Sequence, residues 1–311
     1  MLAVLSTTAP IFLLIALGFI AVRSRLMPAD AIPGLGRLVM YIAMPAMIFS
    51  TLASMNFDQV IDPTYLLVYG AGSALALAAG LGISKLLLRD SVAAGGVKAI
   101  GMAVSNSAFF GYPVLVLVFD DPPTNAFAMA LMIENMLILP LALVIIEYGV
   151  GRQNGTSLAS VWKSVLVRVM KNPLIMAIIA GVLASAIDLQ LPAVMIKSLG
   201  MLSGTAAPVA LFVVGGSLVN SSLRGNLSEI GLVVAGKLAL HPLLMVLLIW
   251  LLPDFDPRLQ LAAVLMAAMP MMSIYPIIGG NYGYRNLCAS ILLVTTVLSF
   301  VTISLTLKLL L

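Results

Sequence analysis

Residues Ser105-Asn106-Ser107-Ala108-Phe109-Phe110-Gly111-Tyr112-Pro113-Val114-Leu115 set a helix breaker and an amide inside an apolar run. Pro113 has no N–H to give the carbonyl of Phe109, and its ring crowds the preceding turn, so a helix here must kink or split. In a bilayer the backbone groups freed in this way need other partners. Two arrangements provide them: a proline kink packed through small residues, or a discontinuous helix whose open backbone faces a substrate near the bilayer midplane. The rest of the chain chooses between them.

Of the 311 residues, 62% are hydrophobic and 9% charged, with mean hydropathy +1.15, whereas soluble domains carry about 25% charged residues. This composition describes a polytopic membrane protein. Its first apolar segment has no basic stretch before it and runs into Arg23 and Arg25, as a retained span would rather than a cleaved signal. The single cysteine, Cys288, excludes an internal disulfide and a cysteine-rich metal site. A net charge of +4 is better explained by membrane topology than by nucleic acid. With one histidine and no Gly-x-x-x-x-Gly-Lys loop, catalytic residues, a bound metal and an ATP motor are not expected, nor is a cofactor beyond a coupling H+ or Na+.

Apolar segments of spanning length predict ten helices, near 5–22, 34–53, 65–88, 97–119, 124–148, 165–187, 194–219, 229–252, 259–282 and 287–310. With the N-terminus outside, twelve Lys and Arg residues fall in the cytoplasm, Arg152, Arg168 and Arg224 among them, against Lys197, Arg258 and Lys308 outside. The bias predicts that both termini are extracytoplasmic. Residues 149–164 read as a polar linker at the middle of the chain.

A shift of 163 residues carries Pro10 onto Pro173, Gly18 onto Gly181, Pro45 onto Pro208 and Tyr112-Pro113 onto Tyr275-Pro276. Residues 1–148 and 165–311 are therefore expected to be repeats, and five spans per half make them inverted. Spans four and nine, each with a matching proline, would cross near the midplane. Two helix N-termini converging there would favour an anion.

Those residues also carry a resemblance. Asn106 to Gly111-Tyr112-Pro113 resembles the Asn-to-Gly-x-Pro signature in the fourth span of the auxin efflux carrier family. Tyr41 to Pro45, Lys171-Asn172-Pro173 with Gly181, and Met269-Pro270 to Tyr275-Pro276 fit the same family in order. The resemblance implies an all-α fold of ten transmembrane helices in two inverted five-helix repeats, like that of bile-acid sodium symporters. Spans one, two, six and seven would form a scaffold, through which a homodimer could form, and spans three to five and eight to ten would form a transport unit. It also implies secondary transport of small organic anions such as malonate or malate across a bacterial inner membrane. Auxin-like aromatic carboxylates are the alternative, although the long loop of many plant members is absent. From other classes, an anion channel or a membrane receptor with a transporter fold must be kept.

By this resemblance Asn106 matches the asparagine that contacts the substrate carboxylate in plant carriers; otherwise it is interhelical glue. With Gly111 and Pro113 it is grouped with Ser273, Tyr275, Pro276 and Asn281 of the matching break as the candidate substrate site. Glu134, beside Asn135 about halfway along span five, is an ionisable group in an apolar setting. It is expected either to bind a coupling H+ or Na+ or to pair statically with Lys237 or His241. Those two, grouped with Glu134 and Asn135 as ion-coupling candidates and able to help hold the carboxylate, lie four apart on span eight, hence on one face; the alternative for Lys237 is to snorkel toward the cytoplasm.

Overall fold

A computed structural model describes residues 2–154, 163, 166–167, 170–219 and 225–310. The described secondary structure is helical apart from one isolated bridge. In chain order the α-helices are α1 (Leu2–Arg23), α2 (Ala31–Leu38), α3 (Met44–Ser54), α4 (Phe57–Val60), α5 (Pro63–Leu86), α6 (Val92–Ala103), α7 (Tyr112–Val118) and α8 (Thr124–Met132). They continue with α9 (Leu139–Asn154), α10 (Pro173–Ala186), α11 (Ala193–Leu218), α12 (Leu227–Ala235), α13 (His241–Leu251), α14 (Pro257–Ala268), α15 (Tyr275–Gly280) and α16 (Arg285–Leu310). Among the described residues six helical stretches are long and apolar enough to cross a membrane: Ala31–Ser54, Phe57–Leu86, Thr124–Val150, Ala193–Leu218, Leu227–Leu251 and Arg285–Leu309. Shorter apolar helices include Val92–Ala103, Ser107–Val118 and Pro257–Ala268. The fifth span runs on through Asn154, so the expected linker begins as helix. Its residues 155–162 and 164, with Arg168 and Arg224, lie outside the described residues.

Prolines are absorbed in a recurrent way. Four π turns, Val39–Ala43, Ser107–Gly111, Ile133–Ile138 and Gly236–Leu240, each end two residues before a proline, at Pro45, Pro113, Pro140 and Pro242. A proline clashes with the carbonyl four residues back and cannot donate to it. In all four places that carbonyl lies inside the π turn, where the widened i→i+5 backbone gives the ring room. Pro113 therefore does not break span four, contrary to the expectation from sequence. It sits in the first turn of α7, where a missing N–H costs nothing. The interruption lies upstream, at Val104–Asn106, where α6 has ended and Val104 is extended. Span nine is interrupted likewise between Ala268 and Tyr275: Pro270 forces Met269 out of the helical region, to φ −66° and ψ 155°.

The chain forms two compact units. The first takes Met1–Pro63, Ser107–Leu131 and Met170–Asn220. Within it α1 packs along α11, and α10 along α3. Both pairs meet at backbone distance. A Cβ on Gly18 would lie 2.1 Å from the carbonyl oxygen of Phe212, and one on Gly181 would lie 3.4 Å from that of Phe49. The 163-residue shift carries Gly18 onto Gly181 and Phe49 onto Phe212, so one contact is the counterpart of the other.

The second unit takes Thr64–Asn106, Met132–Val169 and Ser221–Leu311. Its core is built from α5, α6, α9, α12, α15 and α16, with Leu244 of α13 packed against it, around residues such as Ile100, Ile146, Val233, Tyr275 and Ile291. Cys288 is buried in this core against Gly279, whose missing side chain makes the room. Lys98 of α6, only 2% exposed, pairs with Asp90 at 2.7 Å and with Glu229 in the first turn of α12 at 2.6 Å. Lys98→Met leaves two partly buried carboxylates facing each other. We expect a loss of about 2 kcal/mol, between the values for surface and fully buried pairs, read as a lower melting temperature of the detergent-solubilised protein.

Candidate functional site

The two interruptions meet within the second unit. Ser105 and Met271 form an antiparallel bridge, and the N–H of Asn106 donates to the carbonyl of Pro270 at 2.7 Å. Ser and Asn offer the backbone local alternatives to a helical ladder, which is why Ser105-Asn106-Ser107 is a suitable place for one to stop. The carboxamide of Asn106, 4% exposed, donates through Nδ2 to Ser273 Oγ at 2.8 Å. Thus two residues expected from opposite repeats to bind substrate are in direct contact.

Ser105 is the centre of a second, buried network. Its N–H donates to Glu134 Oε1 at 3.2 Å, and the same oxygen accepts from Tyr69 Oη at 2.8 Å. Lys237 Nζ donates to Ser105 Oγ at 2.6 Å and to the carbonyl of Ala267 at 2.9 Å, and lies 2.8 Å from His241 Nδ1. His241 Nε2 lies 3.1 Å from Ser73 Oγ. Glu134 is 2% exposed, and Lys237 and His241 are fully buried. Lys237 therefore does not snorkel: its ammonium is held inward by acceptors on both sides of the crossing. Glu134 and Lys237 each lie on a π turn, where the extra residue re-aims side chains.

The remaining candidates are dispersed. Tyr275 is buried with its ring over Gly101, where a Cβ would lie 2.9 Å from Cζ. Pro276 follows it in the first turn of α15, whereas Asn281 is exposed at the other end of that helix. Asn135 is half-buried beside Glu134. Gly111 and Pro113 are buried in the first unit, at the end of a π turn and the start of α7. No cluster of three or more His, Cys, Asp or Glu residues occurs among the described residues.

Sequence reasoning passed over Tyr69, Ser73 and Ser105. Tyr65, Tyr69 and Ser73 recur at four-residue spacing and so line one helical face. That was the available signal. Tyr282 donating to Glu147 at 2.7 Å left no such trace.

The profile of the family described as "Membrane transport protein" matches residues 3–307. The chain belongs to this family, the auxin efflux carriers. It is similar to a "Putative malonate transporter" of Rhizobium meliloti (strain 1021), 27% identical over 95% of this chain and 92% of that protein. An "Uncharacterized transporter YfdV" of Escherichia coli (strain K12) is 23% identical over 94% of this chain and 92% of its own length. A "Lysosomal cholesterol signaling protein" of Mus musculus is 25% identical over 75% of this chain, which spans only 28% of it. Membership makes this a multi-pass transmembrane transport protein, and both the family and these relatives point away from an enzyme.

Proposed function

We propose that the chain is a secondary active transporter of small organic anions, a dicarboxylate such as malonate or malate, working by alternating access. The observation that carries the reading is the Asn106–Ser273 pair at the crossing of two interrupted spans. An amide and a hydroxyl can turn their donors to a carboxylate without the cost of a second buried charge. The name of the Rhizobium meliloti relative supports the substrate class. A fold of ten helices in two inverted repeats is supported by the paired glycine contacts and by α7 and α15 starting at Tyr112 and Tyr275, one shift of 163 apart. On this reading spans three to five and eight to ten move against spans one, two, six and seven. The protein sits in an inner membrane with both termini outside.

Glu134 is proposed to carry the coupling ion. Glu134→Gln keeps a carbonyl oxygen for Tyr69 and Ser105 but removes the countercharge near Lys237, so folding should persist at lowered stability. Substrate exchange between loaded vesicles should continue at near the wild-type rate, while accumulation against a gradient falls at least about tenfold. Loss of both would make Glu134 structural.

A second reading has its own support: the mouse relative is named as a signaling protein, and this chain matches only part of it. A receptor of this fold binds its ligand without flux. Uptake of labelled malonate into proteoliposomes decides between the two readings, since saturable uptake supports the transporter and binding alone supports the receptor.

A further inference from the structure

The acceptors around Lys237 are those a bound metal cation would use. Ala267 is the penultimate residue of α14, so its carbonyl is one of the last four of that helix, which have no partner in it and form its negative end. Ser105 Oγ comes from the other interrupted span. Transporters built on broken helices hold coupling cations with such half-helix carbonyls and hydroxyls. Here an ammonium, fully buried, stands among them at 2.6 to 2.9 Å.

The count of hydrogens closes. An ammonium has three donors, and three atoms able to accept surround it: Ser105 Oγ, Ala267 O and, in the tautomer protonated on Nε2, His241 Nδ1. With Nδ1 accepting, His241 carries its proton on Nε2, which donates to Ser73 Oγ. Glu134 answers the charge through Ser105, whose N–H it binds. The ionisable groups at this place are thus Lys237, His241, Glu134 and Tyr69. No donor is left over, and a sodium ion would meet both an occupied space and a like charge.

We propose that the Lys237 ammonium is a tethered cation filling the cation position where the two interrupted spans meet, so that transport by this chain requires no sodium ion. Lys237 is a positioning residue, and the inference rests on the transporter reading for its effect on flux.

The test uses purified full-length protein and two readouts. In proteoliposomes, wild-type malonate uptake should be the same within twofold under an inward sodium gradient and a matched potassium gradient. Lys237→Ala should lose at least about tenfold in uptake rate and regain it with ethylammonium or sodium. In detergent, the melting temperature of Lys237→Ala should rise with ethylammonium concentration, not rise with tetraethylammonium, and the wild type should respond to neither. Wild-type uptake driven by sodium overturns the inference, as does a variant that neither cation rescues in either readout. If the wild type moves no organic acid, the transporter reading fails while the melting series still decides the cation position. Should Lys237→Ala not survive purification, Lys237→Gln replaces it. That variant donates without charge, so uptake at the wild-type rate would overturn the inference and a folded, inactive protein would support it.

Discussion

Asn106→Ala is expected to reduce malonate uptake by about a hundredfold while leaving the protein folded. The backbone of Asn106 ties the crossing together alongside its side chain, because its N–H donates to Pro270 O. Truncation removes the amide and leaves that bond in place. Ser273 loses a partner but keeps its hydroxyl, which can turn elsewhere. What disappears, on the proposed function, is a neutral donor to a charged ligand, worth about 1.5–3 kcal/mol, or up to about two orders of magnitude in rate or affinity. Asn106→Asp should be as inactive for the opposite reason, since it sets a like charge against the substrate carboxylate. Initial rates over a range of malonate concentrations, normalised to monodisperse protein, check both. Asn106→Ala uptake within threefold of the wild type would remove the crossing from the binding site.

The second large effect concerns folding. Gly18→Leu is expected to yield no folded protein. A Cβ at Gly18 would stand 2.1 Å from Phe212 O, and one at Gly215 would stand 1.8 Å from Ile15 O. Neither neighbour is a flexible side-chain end that could swing away: both are backbone, so α1 and α11 would have to part along their length. Overpacking a side chain into a core costs about 1–3 kcal/mol, and separating two helix backbones exceeds it. Gly200 of α11 has nothing but its own chain neighbours and helix backbone within 4 Å of where a Cβ would stand. Gly200→Ala is therefore the control, expected to be neutral or slightly stabilising in the helix. Size-exclusion profiles of fluorescently tagged variants separate the two outcomes. A monodisperse Gly18→Leu would mean that the helices are not in contact there.

Gly18 and Gly181 also show what could be read from the chain. Their equal offset from Phe49 and Phe212 follows from a duplicated pattern, and prolines and glycines keep such patterns visible because few residues replace them. The interruption in span four was less legible. Pro113 announces a disturbed helix, but whether the disturbance is a break or a π turn depends on what the freed carbonyls find nearby. Here the π turn Ser107–Gly111 absorbs it, and the break falls at Val104–Asn106. Lys237 and His241 were legible as neighbours on one face, and Glu134 as an exceptional charge. Their backbone partners were not. Ala267 contributes a carbonyl and Ser105 an N–H, groups that every non-proline residue possesses and no side-chain pattern marks.

On the proposed function, the Asn106–Ser273 hydrogen bond also bears on the steps of the cycle made without substrate. When no anion is present, this amide donor is not left bare in an apolar interior, because Ser273 satisfies it. Substrate then replaces one bond by another, so much of the gross interaction is spent on the exchange and modest affinity follows. On the alternating-access reading, the same satisfied amide is expected to lower the barrier to reorientation without substrate. The proposed function then predicts net flux, and not only one-for-one countertransport, because the crossing keeps this hydrogen bond when no substrate is bound.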